Sequence, residues 1–334
     1  MGTRLWPCVF AAIVLAAGPL SWAATVEVLL EGLDNPWGLA IQPGTGHVFV
    51  SESGAGKVLR VVNGKAEDAV VGFGTAHYGD GPRYTIGPLG LIFIGPESLV
   101  VGGGERPAGQ DLVRVFRIPS ASGLPLRAEE AAARLSLPAA GELPGEGDFF
   151  GLAATSDALF VTCRGDDAKG WVARAAINAG KLVALERFIP TKEATGVSAP
   201  RALAISPRGE LVVGQMGQTK VPRDSLVTFY RPQDGRMLLN LATGLFDITS
   251  LAYAPSGQLY ATDFAWIQAD QGGLFQLVSR LDQRKLALEA RRIVPLDKPT
   301  AMVFAGTGAL YVTVLGTAAP RSGRQPGQLL KITL

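Results

Sequence analysis

Apolar residues along this chain gather in short runs, broken at close intervals by glycine, proline and polar residues. The stretch Asn35–Gly64 shows the pattern. Its runs are Trp37–Ile41, Val48–Ser51 and Lys57–Val62, separated by a turn with Pro43, Gly44 and Gly46 and then by Ser53–Gly56. Runs this short, rich in Val, Ile, Leu and Phe, predict β-strands joined by hairpins.

The unit recurs. Gly38-Leu39-Ala40-Ile41 is echoed at Gly90–Phe93, Gly151–Ala154, Ala202–Ile205, Ser250–Tyr253 and Ala301–Phe304, at intervals of 48 to 61 residues. Each copy has a second run: Val48–Glu52, Leu99–Gly103, Leu159–Cys163, Leu211–Gln215, Leu259–Asp263 and Leu310–Val314. Each also has a third: Lys57–Val62, Asp111–Ile118, Gly170–Ile177, Ser225–Tyr230, Gly272–Val278 and Gly327–Leu334. A weaker fourth follows five of them, at Ala66–Val71, Glu130–Leu137, Leu182–Phe188, Arg236–Leu241 and Leu286–Val294. Ala128–Arg134, rich in Ala and Glu, also suits a helical turn. The sixth copy stops after its third run, and a spare strand, Thr25–Glu31, stands at the other end. The pattern predicts an all-β, six-bladed β-propeller of four-stranded antiparallel blades, one domain over residues 24–334, closed by the N-terminal strand. Closure leaves only short protected edges. A pair of β-sandwiches would not give the six-fold phasing.

Antiparallel connectivity puts the short first-to-second turns on one face. The second-to-third loops and the crossovers between blades fall on the other. The long loops there are Gly102–Gln110, Cys163–Lys169, Gln215–Asp224, Asp263–Gln271 and Leu315–Pro326. Such loops on a rigid scaffold are where binding groups sit. Repeat symmetry makes a ring of the second-strand ends Glu52, Gly103, Cys163, Gln215, Asp263 and Val314. Glu52 and Asp263, with Gln215, are candidate ligands for a divalent metal such as Ca²⁺ or for sugar hydroxyls. The alternative is that they bond to neighbouring backbone amides. The longest crossover, Gly72–Pro88, carries His77, Tyr78, Asp80, Arg83 and Tyr84, with glycines that let it fold over the channel. His77, as a general base, and Glu52 are the candidate catalytic residues. Candidate ligand-binding residues at the rim and on the loops are Asn35, Trp37, Tyr78, Arg83, Glu105, Arg164, Arg201, Gln215, Asp247 and Trp266. Arg164 with Asp166 and Asp167 also reads as a solvated salt-bridge cluster, and Cys163 as a small buried residue.

Of 334 residues, 47% are hydrophobic and 18% charged, which suits a large packed core and excludes a disordered chain. A net charge of +2, mixed in sign along the chain, gives no reason to expect nucleic acid. Residues 1–23 read as a signal peptide: Arg4, the apolar Val9–Ala17 and the site Ser21-Trp22-Ala23. The expectation is therefore export, to the periplasm or beyond the cell. No later stretch is long and apolar enough to span a membrane. Cys163 is then the only mature cysteine, so no intramolecular disulfide forms. A monomer is expected. G-x-S-x-G, H-E-x-x-H, Walker and EF-hand spacings do not occur.

The repeat Gly-Leu-Ala-Ile with Val-Phe-Val-x-Glu resembles that of NHL-repeat and related six-bladed propellers of exported bacterial proteins. The first blade, Gly32–Ala40 through Val50–Glu52, is similar to the opening blade of the glucose/sorbosone dehydrogenase family. That resemblance implies pyrroloquinoline quinone, a catalytic His in the channel and Ca²⁺ near the cofactor. The family's His stands just before a later first strand. The matching segment here, Ser198–Leu203, contains none, so the quinone is not expected. The chain also resembles gluconolactonase-like propellers, which hold a divalent metal with a Glu, two Asn and an Asp. Asp263 matches the Asp, and Asn35 is the only asparagine at the rim. Streptogramin-lyase-like propellers use a channel His pair, and His47 and His77 are scattered. The resulting expectation is a module that binds a small molecule or a protein at its long-loop face. The alternative is a channel-site enzyme, either a metal-dependent lactonase or hydrolase or a sugar dehydrogenase-like oxidoreductase.

Overall fold

Six repeats become six antiparallel sheets in the computed structural model, which describes residues 24–79, 82–164, 169–282, 285–306, 308–317 and 325–334. The signal-peptide reading, Asp80, Asp166 and Asp167 lie outside the described residues. Blade 1 holds Pro36–Ile41, Val48–Glu52, Lys57–Val62 and Lys65–Val71. Blade 2 holds Pro88–Phe93, Ser98–Gly103, Val113–Arg117 and Ala133–Leu135. Blade 3 holds Leu152–Ala154, Ala158–Thr162, Trp171–Asn178 and Lys181–Pro190. Blade 4 holds Pro200–Ile205, Leu211–Gln215, Leu226–Tyr230 and Met237–Ala242. Blade 5 holds Ile248–Tyr253, Leu259–Asp263, Gly273–Asp282 and Lys285–Pro295. Blade 6 holds Pro299–Phe304, Leu310–Val314 and Gly327–Thr333. Its outer strand is Thr25–Leu33, with Thr25 opposite Thr333. The ring is thus closed by its N-terminal strand.

The second strands of blades 1, 3, 4 and 5 are buried along their whole length, because neighbouring blades cover both faces. The cores lie between blades. Phe49, Val58 and Val70 of blade 1 pack with Leu99, Val101 and Phe116 of blade 2. Burying each such side chain stabilises by about 1.5–3 kcal/mol. Outer strands such as Met237–Ala242 are largely exposed.

The fourth strand of blade 2 is shorter than expected, Ala133–Leu135 alone. Ala128–Glu130 is a 3₁₀ turn, held by the Arg127 N–H donating to Glu130 Oε2 at 2.6 Å. The preceding Leu126–Arg127 runs parallel to the edge of blade 1 instead. The long crossover forms a small hairpin, Ala76–Tyr78 with Tyr84–Ile86, over the channel mouth.

Candidate functional site

At the start of five first strands the register slips. The shifts fall between Pro36 and Gly38, Pro88 and Leu91, Pro200 and Ala202, Ile248 and Ser250, and Pro299 and Ala301. A bulge turns its extra residue out of the ladder. Trp37, Arg201, Thr249 and Thr300, with Phe150 from blade 3, consequently line the central channel. The residue that follows must be small. A Cβ on Gly38 would sit 2.0 Å from the Leu89 carbonyl oxygen, and one on Gly151 2.5 Å from that of Arg201. Hydroxyls stitch neighbouring blades at this level, Thr300 Oγ1 donating to the Pro36 carbonyl at 2.7 Å and Thr249 Oγ1 to that of Pro299 at 2.8 Å. Asn35, Ala199 and Lys298 precede the bulge prolines with φ of 48°, 56° and 58°. Proline disfavours that conformation in the residue before it, so strain is stored here.

The channel mouth is filled by side chains. Trp37 stacks on Phe264 (centroids 6.0 Å apart, planes at 11°) and meets Phe150 edge-on at 5.3 Å. From the hairpin, Tyr84 meets Phe264 at 5.6 Å and Trp266 at 5.2 Å, and Tyr78 meets Phe150 at 5.5 Å. Arg201, only 3% exposed, lies inside this cluster. Its guanidinium carbon is 3.2 Å from the Phe150 centroid and 4.6 Å from that of Tyr78. A planar, weakly hydrated cation tolerates aromatic faces. Burial pulls its pKa below the ordinary arginine value, against the raising influence of Tyr78 and Asp148. Lys298, 2% exposed, donates to the carbonyls of Ala265 (2.7 Å) and Trp266 (2.6 Å) and so fixes the loop bearing Trp266. The channel space beneath this plug is about 80 Å³.

The ring of second-strand ends does other work. Asp263, 1% exposed, accepts the N–H groups of Phe246 (2.9 Å), Asp247 (2.8 Å) and Ala265 (3.1 Å). Glu52 accepts the Asp34 N–H at 2.9 Å and pairs with Lys57 at 3.4 Å. Gln215 donates to Thr195 Oγ1 (2.9 Å) and to the Val197 carbonyl, and accepts from Thr228. All three hold the crossover that enters their own blade. Among the described residues, no group of three or more His, Cys, Asp or Glu is placed to hold a metal ion. Asp247 accepts the Trp266 N–H, and burial raises it to about 6. Glu105 forms a buried pair with Arg114. Asn35 bonds Asp34, and Arg83 is exposed at the hairpin. Cys163 is fully buried, and desolvation pushes its thiol well up.

Beside the plug, on the long-loop face, opens a cleft of about 450 Å³. Its polar walls are His77, Arg106, Asp111, Glu146, Asp148 and Arg164, and Gly104, Gly145 and Gly147 also line it. His77 is exposed and faces this cleft rather than the channel. Asp111 draws two loops together, accepting the N–H groups of Arg106 (2.8 Å) and Asp148 (3.0 Å). Burial raises its carboxyl to about 7 despite those bonds. Arg164 pairs with Asp148 at 3.6 Å and lies 4.8 Å over the Tyr78 ring. The structure thus brings Trp37, Tyr78, Arg201 and Trp266 together as a plug and sets His77 and Arg164 beside it. Sequence reasoning missed Asp111, Phe150, Phe264 and Lys298. The motif Pro-x-small at first-strand starts was the available signal for the bulge ring. A larger cavity, about 680 Å³, lies elsewhere, between the outer strands of blades 4 and 5.

No protein-family model matches the chain. No curated protein matches it by sequence. Solved structures match it by fold. The chain is similar to the soluble aldose sugar dehydrogenase of Escherichia coli at TM-score 0.60 and 17% identity, covering 93% of this chain and 99% of that one. It is similar to a gluconolactonase of Xanthomonas campestris at TM-score 0.61 and 15% identity, over 93% and 89%. The PQQ-bound aldose sugar dehydrogenase of Streptomyces coelicolor aligns at TM-score 0.60 and 16% identity, over 92% and 98%. The chain has the six-bladed fold of these soluble sugar-dehydrogenase and gluconolactonase propellers.

Proposed function

We propose that the protein is a ligand-binding propeller that takes a small polar molecule in the cleft beside its closed channel. The observation that carries this reading is the plug. The segment Ser198–Leu203, where the dehydrogenase resemblance places a channel His, has no His but carries Arg201, packed under Tyr78 and against Phe150. The residues do not fit quinone with Ca²⁺: the mouth is filled by aromatic rings, and the carboxylates of Glu52 and Asp263 are turned onto backbone N–H groups. The cleft, by contrast, offers charged and hydrogen-bonding groups around about 450 Å³, which is the range of small-ligand sites. Similarity to sugar-handling enzymes favours a hydroxylated ligand. Thermal unfolding with a panel of monosaccharides tests this. At least one is expected to raise Tm, by about 2.7 kcal/mol of added stability at a hundred-fold excess over Kd, with the rise lost in Asp148→Ala. A Tm that no sugar moves, or saturable quinone binding that depends on Asp263, would overturn it.

A second reading has its own observation. Asp111, whose carboxyl burial raises to about 7, lines one cleft with the imidazole of His77, so a candidate acid and a candidate base face the same space. This would make the protein a hydrolase acting on a cyclic ester. Gluconolactone opening above the uncatalysed rate, abolished in His77→Ala, would establish that reading and displace simple binding.

A further inference from the structure

The cavity of about 680 Å³ between blades 4 and 5 belongs to neither the plug nor the cleft. Pro207 and Gly257, from the first-to-second turns of the two blades, line it, which puts it on the short-turn face. Repeat symmetry explains why the space is open. In blades 1 and 5 the second residue of the second strand is aromatic, and it meets the aromatic residue that ends the first strand of the next blade. Phe49 meets Phe93 with centroids 5.1 Å apart, and Tyr260 meets Phe304 at 5.4 Å. Blade 4 carries Val212 at that position, while the first strand of blade 5 ends on Tyr253. Among the described residues, Tyr253 pairs with no other ring. The walls of the space are apolar and come from both blades: Phe229, Leu239 and Leu241 on one side, Leu277 and Leu288 on the other. The blade 5 hairpin extends one wall further, its strands being 10 and 11 residues long against 5 and 6 in blade 4.

The polar groups are few. Among the described residues, the Tyr253 hydroxyl has no hydrogen-bond partner. Burial raises this phenol to about 12, with Glu210 pushing the same way and Arg208 opposing, so it keeps its proton at neutral pH. Glu210 and Arg208 both line the cavity, and with one charge of each sign near the phenol neither sign is favoured on a ligand. Apolar space that side chains leave unfilled takes up ring molecules of matching size, and an aromatic ring also gains edge contacts with a tyrosine. The volume is in the range of small-ligand sites. From this we infer that the cavity is a second binding site, for an uncharged aromatic molecule bearing one hydroxyl or carbonyl oxygen. Its ring packs against Tyr253, as the rings of Phe49 and Tyr260 pack against their partners between other blades, and its oxygen bonds the Tyr253 hydroxyl. The assignment is independent of the proposed sugar cleft.

Fluorescence titration of the full chain with N-phenyl-1-naphthylamine, a neutral aromatic probe that brightens in apolar surroundings, tests it. Saturable binding at one site is expected. Leu239→Trp, which fills the cavity from one wall, should weaken it by about tenfold or more, with the urea midpoint showing that the variant is folded. Displacement by matched naphthalenes reads the polar end. At pH 7, 2-naphthol should compete better than naphthalene, and about tenfold better than 2-naphthoate. Tyr253→Phe should erase the preference for 2-naphthol over naphthalene. If the probe does not saturate, or binds Leu239→Trp as it binds the parent, the site is overturned. If 2-naphthoate competes as well as 2-naphthol, or Tyr253→Phe keeps the preference, the chemical class assigned to the ligand is overturned. A Tm that no monosaccharide moves would remove the cleft reading and leave this one standing.

Discussion

Two rings of residues surround the same end of the channel, and they behave differently. The second-strand ends include Glu52, Gln215 and Asp263, polar groups that sequence symmetry marks as a site. Each is turned sideways onto the crossover entering its own blade. The bulge residues Trp37 and Arg201, joined by Phe150 of blade 3, are irregular in sequence, yet they face the channel and close it. In a propeller a crossover delivers several backbone N–H groups at the rim, and a buried donor without an acceptor costs about 1–3 kcal/mol. Carboxylates at the second-strand ends satisfy that need first.

Substitutions can break this contrast. The largest effect is expected at Phe264, fully buried and stacked on Trp37. Phe264→Ala should cost about 4 kcal/mol in urea unfolding, the usual range for deleting a buried phenyl ring, and should open the mouth. Asp263→Ala strands three N–H groups and should cost about 3 kcal/mol. If instead stability holds and only ligand binding is lost, the ring is a site after all.

The pH dependence of stability sharpens the picture on the cleft side. The Asp111 carboxyl titrates near 3.8 in an unfolded chain and about 7 in the fold. The folded protein therefore holds the proton longer. Stability is full below about 3.8 and declines as pH rises through about 7. Asp247, raised to about 6, adds to the same slope. Chemical denaturation across pH 4 to 8 should flatten in Asp111→Asn.

Smaller effects are expected at the remaining positions. Glu52 serves one N–H and a half-exposed lysine, so Glu52→Ala should cost about 1 kcal/mol. Arg201→Met should change stability by about 1 kcal/mol or less, since replacing a buried charge by an apolar chain of similar length is often neutral. A large loss there would show that the guanidinium is a structural requirement of the plug.

The repeats and their closure follow from local sequence. Short β-rich runs at nearly constant intervals have few other packings, and Thr25–Glu31 stands where a sixth blade lacks a strand. Local sequence also sets which face carries the long loops, and it singles out Trp37, Tyr78, Arg201 and Trp266. Where those side chains point is set only when the chain is folded. One slipped residue at a bulge sends Trp37 and Arg201 inward, while alternation in a three-residue strand sends His77 outward and Tyr78 into the plug. Asp111 and Asp148 lie 37 positions apart and become one wall only when two loops meet. Strand periodicity is local and visible in a single chain. Side-chain direction at a bulge, and the company a carboxylate keeps, depend on backbone groups that arrive from distant parts of it.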